Sequence, residues 1–231
     1  TGQGEWHEKG GKNTHSLHAD LKVHDAGVLL TELGYPNVLQ KGNGEASVSL
    51  TWDGTPWSPV VSTIEGPVKV SLANGSFQQV NTGVGGAVLS LLSMQSLLKR
   101  LQLDFSDLVQ NGFSFDTLTS ESKVVKGVAY TDGTKVIGSH ASIISSGKVD
   151  FNTRTIDYDV LVLPDINAAG ASIALAVVNP VAGIGSLVAQ LLLRNPLSKI
   201  FSTEYKVQGS FDNPTIEKKS AASKTLEAAE K

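Results

Sequence analysis

The chain has 231 residues, 40% of them hydrophobic, and a formal net charge of −3. That is enough apolar content for one sizeable β-rich domain, with no basic stripe of the kind that neutralises nucleic-acid phosphates. The absence of cysteine excludes a disulfide framework, a thiolate metal site and a cysteine nucleophile, while leaving the compartment open.

Residues 1–13, opening TGQGEWHEKGGK, are rich in glycine and charge and are expected to be a flexible N-terminal segment, a loop or a frayed strand, with Trp6 as the exception. From 16 to 24 the sequence alternates. Leu17, Ala19, Leu21 and Val23 share one face and His18, Asp20, Lys22 and His24 the other, as in a half-buried strand. Asp25 then suits the N-cap of a short helix near 25–33, stopped by Gly34 and Pro36 and set against one side of the sheet. Further strands are expected over 46–52 and 68–72, with 75–80 following an Asn74-Gly75 hairpin signal.

In the stretch GGAVLSLLSMQSLLKRLQLDFSDLVQNGFSFDTL, a helix near 85–98 gives way to a strand. Val88, Leu91, Leu92, Gln95 and Leu98 have helix-face spacing, and Lys99 and Arg100 follow at the C-terminal end, where cations are favoured. Leu101, Leu103 and Phe105 then switch to a period of two, which Phe113 and Phe115 repeat after Asn111-Gly112. Four segments at short spacing, 120–126, 128–137, 141–150 and 155–164, predict an antiparallel meander. In the last of them Ile156, Tyr158, Val160 and Val162 line one face, while the other begins with Asp157 and Asp159 and ends with Leu161 and Leu163. One end of that strand is therefore expected to be covered on both sides.

Residues 166–193 contain no Asp, Glu, Lys or Arg. Asn179-Pro180 argues against one straight span, and two pieces of roughly 11 to 13 residues would each reach only about 20 Å, against a hydrocarbon core of about 30 Å. A helical pair over 168–193 packed on the sheet is expected, the alternative being a pair partly exposed to lipid. Arg194, Asn195 and Pro196 end the run, a short helix over 197–201 leads into a strand over 203–210, and a turn at 211–214 leads into a last extended piece. Residues 218–231 form a polar tail.

No reactive constellation emerges. His15, His18 and His24 lie on the first strand, but His18 and His24 are six residues apart, roughly 20 Å along a strand, too far to share an ion. His140 has no partner nearby in sequence. Asp157 with Asp159, and Asp104 with Asp107, have spacings common on polar faces and at caps. The glycines of GVGGAV and GIGSL lack the rest of a phosphate loop. Lys99, Arg100, Arg194 and Lys199 flank the apolar helices, a placement that serves helix capping, snorkelling or contact with lipid phosphates.

The runs LLSMQSLLKRLQLDFSDLVQNGFSFDTL and LLLRNPLSKIFSTEYKVQGSFDNPTIEK resemble the C-terminal region of the large AsmA-like envelope proteins, the YhdP type in particular, over about residues 23–218. The resemblance implies a periplasmic, bridge-like protein of Gram-negative bacteria that carries phospholipids between the inner and outer membranes through an apolar β-groove. It also implies that this chain is a fragment whose inner-membrane helix lies upstream, since nothing near Thr1 has the pattern of a signal peptide or anchor. The expected fold is α+β, mostly β: a curved antiparallel meander over 14–217 forming the groove, with helices packed on or capping one end.

The expected function is noncatalytic lipid handling with no cofactor, in which acyl chains are buried at about 0.8 kcal/mol per CH₂. The expected lining is Leu101, Leu103, Phe105, Phe113, Phe115, Ile156, Tyr158, Val160 and Val162, with Lys99, Arg100, Arg194 and Lys199 at the headgroup or membrane boundary. Phospholipid acyl chains are the expected partners, with the outer-membrane surface or an envelope protein meeting the 168–193 pair. The alternative is a structural module that docks another envelope protein by strand addition and holds no lipid. On alternation alone, charged replacement of Phe113 and Val160 should abolish lipid capture and leave the fold intact.

Overall fold

The computed structural model describes residues 2–9, 12–78, 113–139, 141–164 and 203–219. They form one curved, eleven-stranded antiparallel sheet. In chain order the strands are β1 (Gly2–Lys9), β2 (Lys12–Val23), β3 (Leu39–Thr55), β4 (Ser58–Pro59), β5 (Gly66–Phe77), β6 (Phe113–Val125), β7 (Val128–Ile137), β8 (Ala141–Asp150), β9 (Thr155–Pro164), β10 (Thr203–Ser210) and β11 (Pro214–Lys218). Each pairs with its neighbour in sequence, except that β4 folds back on the end of β3 and β5 takes the next place in the sheet. The fold is thus the mostly β α+β meander expected. The helices expected at 85–98 and 168–193, the strand at 101–105, the short helix at 197–201, His140 and the tail beyond 219 lie outside the described residues.

Two-residue alternation explains why the sheet has one apolar face. The hydrogen-bonded register places Val23, Gly44, Leu72, Leu118, Val136, Ile143, Val162 and Thr203 in one row across eight strands. The main core cluster lies on this side, with Phe77, Phe113, Phe115, Ile156, Val160, Tyr205 and Val207 among its buried members. Helix α1 (Ala26–Glu32) closes the end of the sheet between β2 and β3. The Asp25 carboxylate accepts the Val28 N–H at 3.0 Å as N-cap, and Gly34, at φ 90°, turns the chain away. Ala26 is buried in the core, and Leu29 packs against it.

Three differences from the sequence reading have physical causes. Residues 2–9, expected as a flexible segment, form β1 and pair with β2 at eight consecutive positions. Asn74-Gly75 makes no hairpin. Asn74 has the left-handed φ of 56° that this dipeptide favours, but it sits inside β5, which runs on to Phe77. Beside it on β3, Lys41 at φ 61° and Gly42 at φ 88° take the same sign, and Lys41 pairs with Gly75. The sheet therefore creases along this line, so that Leu72 and Leu118 on one side and Phe77, Phe113 and Phe115 on the other enter the same core despite opposite parity. Finally, the strand containing Phe113 and Phe115 and the segment at 120–126 are one strand, β6, with a bulge against β7 between Thr119 and Ser122.

The crease depends on glycine. The Phe115 ring lies over the backbone of Gly75, where a β-carbon would collide with it. Gly75→Ala is expected to lower stability by about 1–3 kcal/mol in urea unfolding, and Asp25→Ala by about 1 kcal/mol through loss of the cap.

Candidate functional site

Six of the nine expected lining residues fall within the described structure, and all six lie on the apolar face. Phe113 and Phe115 are each 2% exposed, and Ile156, Val160 and Val162 are also buried. They are core side chains rather than open floor, so a charge at Phe113 or Val160 would be buried without a partner and would unfold the sheet rather than test a surface. Leu101, Leu103, Phe105, Lys99, Arg100, Arg194 and Lys199 lie outside the described residues.

The open part of the face lies at the other end of the sheet, on β2, β3 and β5. Leu17 is 38% and Leu21 41% exposed, and Ala19, Ala46, Val48, Leu50, Val68 and Val70 are half-buried. Cross-strand pairing sets Leu21 beside Ala46, and Ala46 beside Val70. This strip runs without interruption into buried Val23 and Leu72 in the adjoining row. The sequence did show alternation in β2, β3 and β5. What it did not show is that these strands, and not the phenylalanines, carry the accessible apolar area.

Toward the middle the apolar face holds an inset of hydroxyls. Ser120 pairs with Thr134 at 2.8 Å and Ser122 with Thr131 at 2.8 Å. Tyr158 reaches over Gly147, its neighbour on β8, to donate to Thr131 on β7 at 3.0 Å. Burial raises the Tyr158 pKa against the opposing effect of the Thr131 hydrogen bond, so the phenol stays protonated as the donor.

The opposite face is polar over most of the sheet, with an apolar exception at the β8–β9 end. An open trough of about 910 Å³ crosses β2, β3, β5 and β6. It is lined by Lys22, Glu45, Ser71 and Thr119 and by Asp20, Ser47, Lys69 and Glu121, with Leu21, Ala46, Val70 and Ser120 in the row between them. Lys69 and Glu121 form an exposed ion pair at 3.3 Å. At the β8–β9 end, Ile144, Leu161 and Leu163 form a second buried apolar cluster, so β9 is covered on both sides there, as its sequence pattern anticipates.

Asp157 and Asp159 are held by lysines. Lys206 Nζ lies 2.6 Å from Asp157 and 3.4 Å from Asp159, and Lys219 Nζ lies 3.0 Å from Asp159. Desolvation lowers the Lys206 pKa, but the Asp157 hydrogen bond and the two carboxylate charges outweigh it and raise it overall. The pair reads as a structural ion cluster. His18 and Asp20 meet at 3.5 Å on exposed surface, and buried His15 stacks on Trp52 with its Nε2 3.1 Å from the Gly54 carbonyl oxygen. Among the described residues no group of three or more metal-ligating side chains converges, and no helix is long and apolar enough to cross a membrane.

The family profile described as YhdP protein matches residues 1–216. The chain belongs to the YhdP family. Over 216 residues it is 31% identical to a protein of Escherichia coli (strain K12) named intermembrane phospholipid transporter YhdP, the match covering 94% of this chain and 17% of that protein. The chain therefore corresponds to a minor part of that YhdP relative's length. No solved structure matches it.

The raised Lys206 pKa makes a signed prediction. Its contribution to folding is complete below the unfolded lysine value of about 10.4 and is lost as pH rises through the higher folded value. Lys206→Met should cost about 1 kcal/mol at neutral pH, and the difference from wild type should shrink in alkaline unfolding titrations. A pH-independent difference would assign the loss to packing of the lysine stem.

Proposed function

We propose that this chain is a noncatalytic phospholipid-handling segment of a longer periplasmic protein, and that its apolar face is the floor on which acyl chains lie during passage between the two membranes. The observation that carries this reading is the partly open strip of Leu17, Leu21, Ala46 and Val70, continuous with a buried apolar face that reaches β10. Membership of a family whose E. coli member is named as an intermembrane phospholipid transporter supports the choice of lipid. A strip one sheet wide and several strands long suits a flexible hydrocarbon. Burial is worth about 0.8 kcal/mol per CH₂ while the headgroup remains in water, so no covalent step and no cofactor are needed. Phe113, Phe115, Ile156, Tyr158, Val160 and Val162 would form the closed continuation of the floor, and the paired carboxylates on the other face would hold the sheet rather than act on substrate.

The test is native mass spectrometry of detergent-free protein, with lipid extraction from the same sample. Wild type should carry phospholipid. Leu17→Asp/Leu21→Asp, at the two exposed positions of the strip, should keep its circular dichroism and unfolding midpoint near wild type and lose lipid occupancy by more than about tenfold. Full occupancy in the folded double variant would remove the strip from the site. A wild type free of lipid would favour the docking alternative.

A further inference from the structure

A lone sheet layer does not bury its own outer face, because side chains there stand away from the strands and need something laid over them. Yet Ile144 is 0%, Leu161 1% and Leu163 2% exposed, and all three point away from the main core. Ile144 pairs with Leu161 and Ser142 with Leu163, out of phase with the core pair of Ile143 and Val162. Lys135 on β7 and Glu204 on β10 flank this patch within the sheet and do not roof it. The dry area also has a boundary. Ser142 is buried beside Leu163, whereas two residues back from Leu161 the Asp159 side chain is 38% exposed. Burial of the outer face is thus confined to the end of β8 and β9 at which the chain leaves after Pro164.

Among the described residues no element outside the sheet can supply the cover. Helix α1 sits between β2 and β3, and the short 3-10 turn at 61–63 lies at the opposite end of the strands, where Gly127 N–H donates to the Ile64 carbonyl oxygen. Three further stretches of the chain remain. Residues 79–112 leave the sheet between β5 and β6, and the outer face that they would meet first is open, with Ser114, Asp116 and Thr117 exposed. Residues 220–231 offer Leu226 as their one large apolar side chain, among four charged ones. Residues 166–193 carry no Asp, Glu, Lys or Arg. They follow Leu163 and Pro164 directly, and the chain returns at Thr203, which pairs with Val162 on the adjoining strand. Both ends of that connection stand at the dry patch.

We propose that residues 166–193 pack on the outer face of β8 and β9, over Ile144, Leu161 and Leu163, and not on the acyl-chain floor. A charge-free segment and an apolar patch leave water together without needing any polar partner. Lying on the other side of the sheet, the segment does not compete with hydrocarbon for Leu17, Leu21, Ala46 and Val70. This packing holds whether or not the floor carries lipid, so it goes beyond the proposed function and can fail or hold independently of it.

The experiment is site-directed photocrosslinking in the whole chain. The photoreactive residue p-benzoylphenylalanine replaces Lys135, half-buried beside Ile144 on the outer face, or Leu17, exposed on the floor. The irradiated monomer is digested with trypsin, which releases residues 155–194 as one peptide because no Lys or Arg lies between Arg154 and Arg194. Fragment spectra should place the crosslink from position 135 within 166–193, and crosslinks into that range from position 17 should be at least about tenfold weaker, since the probe reacts only with what it touches. A second variant reads the patch without a bulky probe. In a chain that has no other cysteine, Ser142→Cys should react with a maleimide at least about a hundredfold more slowly than Ser114→Cys, and the two should react alike in urea, where burial no longer separates them. A crosslink from position 135 that falls in 79–112 or 220–231, one that never leaves the sheet, a crosslink from position 17 into 166–193, or equal thiol rates in the folded protein would each overturn the proposal.

Discussion

Register is the constraint on which the rest of this molecule depends. A single antiparallel sheet has no second sheet to correct it, so a slip of one residue in any pair would send that strand's apolar set to the polar face. The short turns hold the register. Lys126 and Gly127, both at positive φ, close the two-residue turn between β6 and β7, with Val125 paired to Val128. Asp150 gathers the N–H groups of Asn152 and Thr153 to close the β8–β9 turn. Where β7 would fall out of step, register shifts against β6 and β8 restore the phase, and Thr134 and Val136 rejoin the face that Thr131 occupies.

A sheet built this way must leave apolar surface somewhere. In β6 to β10 the inner side chains are mostly buried, and near Leu161 and Leu163 even the second face is covered. In β2, β3 and β5 the same cross-strand rows emerge toward solvent at Leu17 and Leu21. The gradient along one continuous surface matters more than the chemistry of any one residue, because it joins partly exposed apolar area to area already dry.

The sequence made the strands with strong alternation and short links legible. The expected spans of β7, β8, β9 and β10 coincide with those observed, since period two and turn residues point to the same boundaries there. Asn74-Gly75 misled because a left-handed residue marks a turn only when the flanking strands pair with each other. Here β3 and β6 hold the two sides of Asn74 from outside. The apolar face was legible, but its coverage was not. Alternation tells which residues share a face, and Phe113 or Val160 were read correctly as facing the same way, but it carries no information about coverage. Whether a valine is core or open floor depends on what lies over it, and that is a tertiary fact.

The hydroxyl inset tests whether such a floor could admit hydrocarbon at all, since an unsatisfied polar group buried under an acyl chain would cost on the order of 1–3 kcal/mol. Here the groups satisfy one another. Ser120 is bonded to Thr134, and Tyr158 donates to Thr131, which is bonded in turn to Ser122, so each of these hydroxyls takes part in a hydrogen bond before any ligand arrives. Ser120, Ser122, Ser145 and Gly147 are also small, and they keep the floor low where phenylalanines would fill it. A surface that is apolar or already self-paired makes no directional bond to a passing chain. It would bind hydrocarbon through contact area alone, with similar energy at successive positions, which is the property a floor for sliding lipid requires and a catalytic pocket does not.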